Sequence, residues 1–162
     1  MTRYGTRTLA LAFAALFCSG LLATEMQFTG TLVEPPPCAV NGDQPVYVDF
    51  GKNVGVNKVD GVNYIQPVNY NLTCGADSSQ EGMSLVLSTT DKTSYDEAAI
   101  NTSITGLGIR LMYDGKPVVF GDAVPVSMEE RPLLQAVPVK APGAKLDSGS
   151  FTATATLQVI YQ

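Results

Sequence analysis

From Gly149 to the last residue the sequence GSFTATATLQVIYQ alternates without a break. Phe151, Ala153, Ala155, Leu157, Val159 and Tyr161 fall on one face, and Thr152, Thr154, Thr156, Gln158 and Ile160 on the other. Strict period-two alternation predicts a β-strand with one buried face. At ~3.3 Å per residue the stretch from Phe151 to Tyr161 spans roughly 36 Å, longer than most strands of globular domains. If no later strand covers it, its free edge is a row of backbone donors and acceptors beside apolar surface, which natural proteins rarely leave open.

Helical periodicity is nearly absent elsewhere. Short alternating or β-rich runs follow one another at residues 46–50, 68–74, 83–87, 107–113, 117–120 and 133–140. Turn signals separate them, among them Asn41-Gly42-Asp43, Asp60-Gly61, Asp114-Gly115 and Asp147-Ser148-Gly149. A single helical turn is allowed over residues 95–100. Strands at this spacing predict an all-β fold, an antiparallel sandwich of immunoglobulin type.

The start of the chain has a different character. Arg3 and Arg7 precede the apolar run LALAFAALF, and small residues lead to Ala23. That order defines a secretory signal peptide over residues 1–23, with cleavage after Gly20 as the alternative. Phe17 before Cys18 argues against lipidation of that cysteine. No second apolar stretch approaches ~20 residues, so membrane insertion is not expected. Beyond Ala23 the chain has 15 acidic and 8 basic residues. An acidic chain without basic clusters offers no footprint for nucleic acid or an anionic membrane. Cys38 and Cys74 form an even pair in an exported chain, which predicts a disulfide. Closing that loop disfavours the unfolded state by about 4 kcal/mol on the chain-entropy argument.

Between leader and sandwich lies TEMQFTGTLVEPPPC. Met26, Phe28, Gly30 and Leu32 alternate as a strand, and Pro35-Pro36-Pro37 separates them from everything downstream. Consecutive prolines favour an extended, semi-rigid spacer, better suited to projecting a strand outward than to folding it back. A spare strand at one end and an uncovered edge at the other predict strand addition between molecules. The two surfaces differ, so the contact is head-to-tail and repeats into an open filament.

These residues resemble the pilin subunits of the bacterial chaperone–usher pathway, the P and type 1 fimbrial kind. The likeness covers the whole chain beyond the leader. It rests on Phe28-x-Gly30-x-Leu32 followed by proline and Cys38, on Cys74, and on the C-terminus, where Gly149 is fourteenth from the end and Tyr161 penultimate. The resemblance implies an incomplete immunoglobulin-like sandwich over residues 38–162 that lacks its last strand and is completed by donor-strand complementation. Residues 24–37 would be the donor extension, with Met26, Phe28, Gly30 and Leu32 as its inserting residues and Gly30 where the groove leaves no room for a side chain. Gly149, Phe151, Ala153, Ala155, Leu157, Val159 and Tyr161 would form the edge to which a periplasmic pilus chaperone, and later the neighbouring subunit, adds a strand. The carboxylate of Gln162 would be held by basic residues of the chaperone, and Cys38–Cys74 would join the first two strands. Partners implied are that chaperone, an outer-membrane usher and neighbouring pilins, with export through the periplasm to a fimbrium on the cell surface. A chain this short lacks the receptor-binding domain of two-domain tip adhesins. Residues 106–111 and 134–139 resemble minor or adaptor subunits more than a rod pilin.

Other readings have weaker support. The C-terminal alternation could belong to a complete sandwich with residues 28–32 paired inside the same chain, and Gly30 could mark a simple bulge. A self-contained carbohydrate- or receptor-binding tip domain is the main alternative, but the tyrosines are scattered and mark no site. The chain has no histidine, so the usual base of a nucleophilic triad and the commonest metal ligand are missing. Asp96-Glu97 and Glu129-Glu130 are adjacent pairs, which point apart on a strand and are solvated in a loop. No catalytic residue, metal ligand or cofactor is expected.

Overall fold

The computed structural model describes residues 26–32, 38–75 and 82–161. The expected signal peptide, residues 33–37 and Gln162 lie outside them. The chain divides into two units, Met1–Val33 and Glu34–Gln162. In the first, residues 26–32 carry no ladder pairing, and Met26, Phe28 and Leu32 are 71, 84 and 102% exposed. An alternating apolar segment therefore buries none of its large side chains.

The second unit is all-β. Its strands are β1 (Cys38–Val40), β2 (Gln66–Pro67), β3 (Leu72–Cys74), β4 (Met83–Ser88), β5 (Ala99–Asn101), β6 (Leu107–Tyr113), β7 (Lys116–Pro117), β8 (Ala123–Pro125), β9 (Leu134–Lys140) and β10 (Thr156–Tyr161). One sheet has the order β10-β4-β8 and a second the order β2-β9-β6-β5, with β7 also on β6; β1 and β3 form a separate pair. Every pairing is antiparallel. The core lies between the two sheets: Leu87 of β4 packs with Ile100, Ile109, Leu111, Leu134 and Ala136 of the opposite sheet. A second cluster joins Leu72, Met83, Leu85 and Val126 beneath the disulfide.

Local chemistry explains the best-defined pair. In β6 the odd-numbered Leu107, Ile109 and Leu111 are buried, with Ile109 and Leu111 in the inter-sheet core. Asp114 and Gly115 then adopt φ of 47° and 75°, the two positive values that a two-residue hairpin turn requires, and Tyr113 pairs with Lys116 across it. Pro138 sits inside β9 without disrupting the ladder to β6. Its carbonyl accepts from Gly61 N–H on the loop side, so the missing proline N–H also points away from β6.

The outer face of the larger sheet is buried as well. Val137 and Val139 are buried there; Gly61 of the 51–65 loop lies against Val139, and Thr93 and Tyr95 of the 91–97 loop lie against Gly108. Gly108 marks the tightest contact: a Cβ at this position would lie 2.7 Å from Tyr95 Oη, 2.9 Å from Thr93 Cγ2 and 3.1 Å from the Ile100 carbonyl oxygen. Gly108→Ala is expected to cost about 1–3 kcal/mol through this overpacking, measured as a lower urea midpoint at unchanged slope.

Several predicted elements are corrected. Residues 46–50 alternate in burial but pair with nothing among the described residues. Of the run at 68–74 only Leu72–Cys74 is strand, with β2 just before the run; the run at 117–120 keeps only Pro117, in β7; and β8 lies outside every predicted run. The allowed helical turn at 95–100 is a turn followed by β5. Asp96 is not merely solvated: its Oδ2 accepts from Arg110 Nε at 2.6 Å, and its Oδ1 accepts from Ala98 N–H. Glu97 pairs with Lys92.

The predicted C-terminal strand is also shorter than its alternation. The ladder to β4 starts at the pair Thr156↔Ser88 and ends at Tyr161↔Met83. Beyond Ser88 the chain leaves the sheet, and Asp91 bonds to Asn101 of the opposite sheet. Residues 151–155 lose their partner there. Thr152 instead exchanges bonds with Ser103, its carbonyl accepting from Ser103 N–H and its N–H donating to Ser103 Oγ. A polar notch of about 500 Å³ lined by Ser88, Asp91, Asn101, Thr152 and Thr154 opens where the two chains diverge.

Candidate functional site: an open seam in the sandwich

A groove of about 1470 Å³ runs along the seam next to β10. One wall is β10, an edge strand bonded to β4 on one side only. Its Leu157, Val159 and Tyr161 are half-buried and pack on the core, as does Phe151 further along; Ala155 is half-buried too, whereas Ala153 and Gly149 are exposed. The other wall is residues 46–50. Val46, Val48 and Phe50 are half-buried while Tyr47 and Asp49 face solvent, a strand's alternation without a strand's ladder. Two backbone edges with no ladder to each other among the described residues thus border one cavity.

The ends of the groove fix its direction. At one end Cys38 N–H donates to Tyr161 Oη at 3.1 Å. At the other the rings of Phe50 and Phe151 lie 5.9 Å apart. The first wall therefore runs from residue 38 to 50 as the second runs back from 161 to 151. The floor is apolar: Leu87, Ile100, Ile109, Leu111, Leu134 and Ala136 all line it.

What holds the first wall away from β10 is local. Asn41, Gly42 and Asp43 have φ of 52°, 58° and 61°, three left-handed residues in succession, and Asn and Asp tolerate this region best after glycine. Asn41 anchors the turn by donating N–H to the Asn71 carbonyl and its side-chain amide to the carbonyls of Gln44 and Pro45. Behind it Cys38 and Cys74, opposite each other in the β1–β3 ladder, form the predicted disulfide.

Charge at the groove is sparse and mostly negative: Asp43, Asp49 and Asp147 line it with Lys52. The shifted titrations lie elsewhere. Burial pushes the Tyr113, Tyr70 and Tyr95 hydroxyls up, and N–H groups of Asn63 and Val62 pull Asp60 down. No group of three or more potential metal ligands exists among the described residues. The site offers apolar burial and backbone hydrogen bonding.

The expected donor residues Met26, Phe28, Gly30 and Leu32 belong to the other unit. Sequence reasoning found residues of the β10 wall but missed the groove floor. The floor comes from four distant strands, and nothing local distinguishes floor leucines from other core leucines.

An immunoglobulin-like sandwich that lacks one strand, with an apolar groove in its place, is the fold class of pilus subunits. The chain belongs to the fimbrial protein family, whose sequence pattern matches residues 26–162. It is 34% identical to the uncharacterized fimbrial-like protein YfcQ of Escherichia coli strain K12, over 85% of this chain and 87% of that one. Among solved structures, the P pilus adaptor subunit PapF aligns with a TM-score of 0.56 at 23% identity, covering 80% of this chain and 98% of PapF. A subunit from a chaperone–usher pilus, in a structure that addresses rod uncoiling, aligns with a TM-score of 0.58 at 26% identity, covering 86% and 96%. The chain is a structural pilus subunit of a surface fimbrium and not an enzyme. No helix among the described residues is long and apolar enough to cross a membrane.

Proposed function

We propose that this subunit polymerises by donor-strand exchange, the extension at residues 24–37 of one copy or of a related subunit filling the groove of the next. One observation carries the reading. An apolar groove lies between two unladdered edges, in a chain that also has an alternating apolar segment with no burial of its own. An inserted strand would bond to β10 and place alternate side chains on the floor. The lengths agree, since residues 26–32 extended span ~20 Å and the six residues of β10 span a similar distance.

Before assembly the same edge, from Gly149 through Phe151, Ala153 and Ala155 to Tyr161 and the Gln162 carboxylate, receives a strand from a periplasmic chaperone. Residues 1–23 are removed on export through the periplasm, and an outer-membrane usher exchanges chaperone for neighbour. We assign the chain a minor or adaptor position. The character of residues 106–111 and 134–139 supports this.

Gly30→Leu in the donor extension tests the reading. The variant is expected to bind its chaperone as the wild type does but to lose at least tenfold in the rate of insertion into the next subunit, followed as dimer formation on size-exclusion chromatography. Unimpaired dimerisation would reject the donor register.

A further inference from the structure

We infer that this groove selects a donor segment from a different subunit, one with neutral or basic residues flanking its apolar core, over the segment of a second copy of this chain. The inference rests on the donor-strand reading above and concerns which donor is taken.

The charges that line the groove are Asp43, Asp49 and Asp147 against Lys52 alone. They are distributed along it. Asp43 follows β1, whose Cys38 meets Tyr161 at one end, while Asp49 adjoins Phe50 and Asp147 precedes Phe151 at the other. All four are exposed, and none is in an ion pair among the described residues. The chain's own donor segment is acidic at both flanks: Glu25 precedes Met26, Glu34 follows Leu32 by two residues, and residues 24–37 contain no lysine or arginine. Insertion in either direction brings an acidic flank to an acidic end of the groove.

The rest of the acceptor reinforces this. Residues 38–162 contain 13 acidic and 8 basic side chains, so an approaching acidic segment meets a field of its own sign before contact. Exposed charges beyond ~8–10 Å are screened at physiological salt, so the discrimination acts chiefly on the encounter rate. The apolar core of the segment still fits the floor; its flanks are what oppose self-insertion. Such a subunit joins unlike neighbours more readily than it forms a homopolymer.

The test is competitive capture by the mature chain, residues 24–162, refolded from denaturant with three equimolar synthetic 24–37 peptides and analysed by intact mass. The peptides carry the natural flanks, Glu25→Gln with Glu34→Gln, or Glu25→Lys with Glu34→Lys. A fourth peptide with Gly30→Leu reports non-specific binding. At 20 mM NaCl the lysine peptide is expected to be captured about tenfold more than the natural one, with glutamine between, and the spread is expected to collapse at 0.5 M NaCl. Equal capture of all three at both salt concentrations, or preference for the natural flanks, overturns the inference and leaves donor-strand exchange standing. Capture of none of the three above the Gly30→Leu peptide overturns the donor-strand reading itself.

Discussion

Refolded without a partner, a chain beginning at Cys38 is expected to aggregate or unfold without a cooperative transition, and a peptide of residues 24–37 is expected to restore one. The expectation follows from what the groove exposes. Its floor is the inter-sheet core, where Leu87, Ile109, Leu111 and Leu134 are roofed only by side chains that are themselves half-exposed, among them Val48, Phe50, Phe151 and Leu157. Fully burying each of Met26, Phe28 and Leu32 is favourable by roughly 1.5–3 kcal/mol, so the three side chains together contribute about 4.5–9 kcal/mol before the cost of ordering the peptide. The net stability of a whole domain is only ~5–15 kcal/mol. Filling the groove is therefore expected to turn a marginal fold into a stable one. In urea the filled subunit should show a single transition, shifted upward by roughly 2 M or more relative to any residual transition of the empty one.

Loss of the disulfide should have the next largest effect. Cys38 and Cys74 are 36 residues apart in sequence, and a cross-link over that loop accounts for about 4 kcal/mol. Little else holds β1. It has three residues, its ladder among the described residues is to the three residues of β3, and an isolated pair of short strands is marginal in water. Yet β1 carries the Cys38 N–H that meets Tyr161 and leads into the left-handed turn behind the first wall. Replacing both cysteines by serine should lower the stability of the filled subunit by about 4 kcal/mol in urea titration and slow peptide capture as well. A loss below ~1 kcal/mol would show that the wall is held by packing alone.

What the sequence made legible was what depends on neighbours in the chain. The 107–113 and 133–140 runs match β6 and β9 almost residue for residue, because alternation and an Asp-Gly turn suffice to specify a hairpin edge. The run at 46–50 shows the limit of such reasoning. Val46, Val48 and Phe50 do alternate inward, but a strand needs a partner, and none lies beside it among the described residues. The same holds for residues 151–155, whose alternation continues past the point where Ser88 ends β4. Ladder length is a property of two segments, and period-two patterning reports only one. The Asp96–Arg110 pair was illegible for a related reason: their approach is set by how the 91–97 loop folds over β6. The groove floor was hidden because its residues become a site only when the last strand is missing.

Hydrogen exchange of a chain of residues 24–162, with and without captured 24–37 peptide, reads strand insertion at the two groove edges. New protection is expected at the amides of residues 46–50 and on the outer edge of β10 from Leu157 to Ile160, with the β6–β9 ladder already protected in both states. Capture without protection at those two edges, or a chain lacking residues 24–37 that unfolds reversibly as a monomer and ignores the peptide, would contradict it.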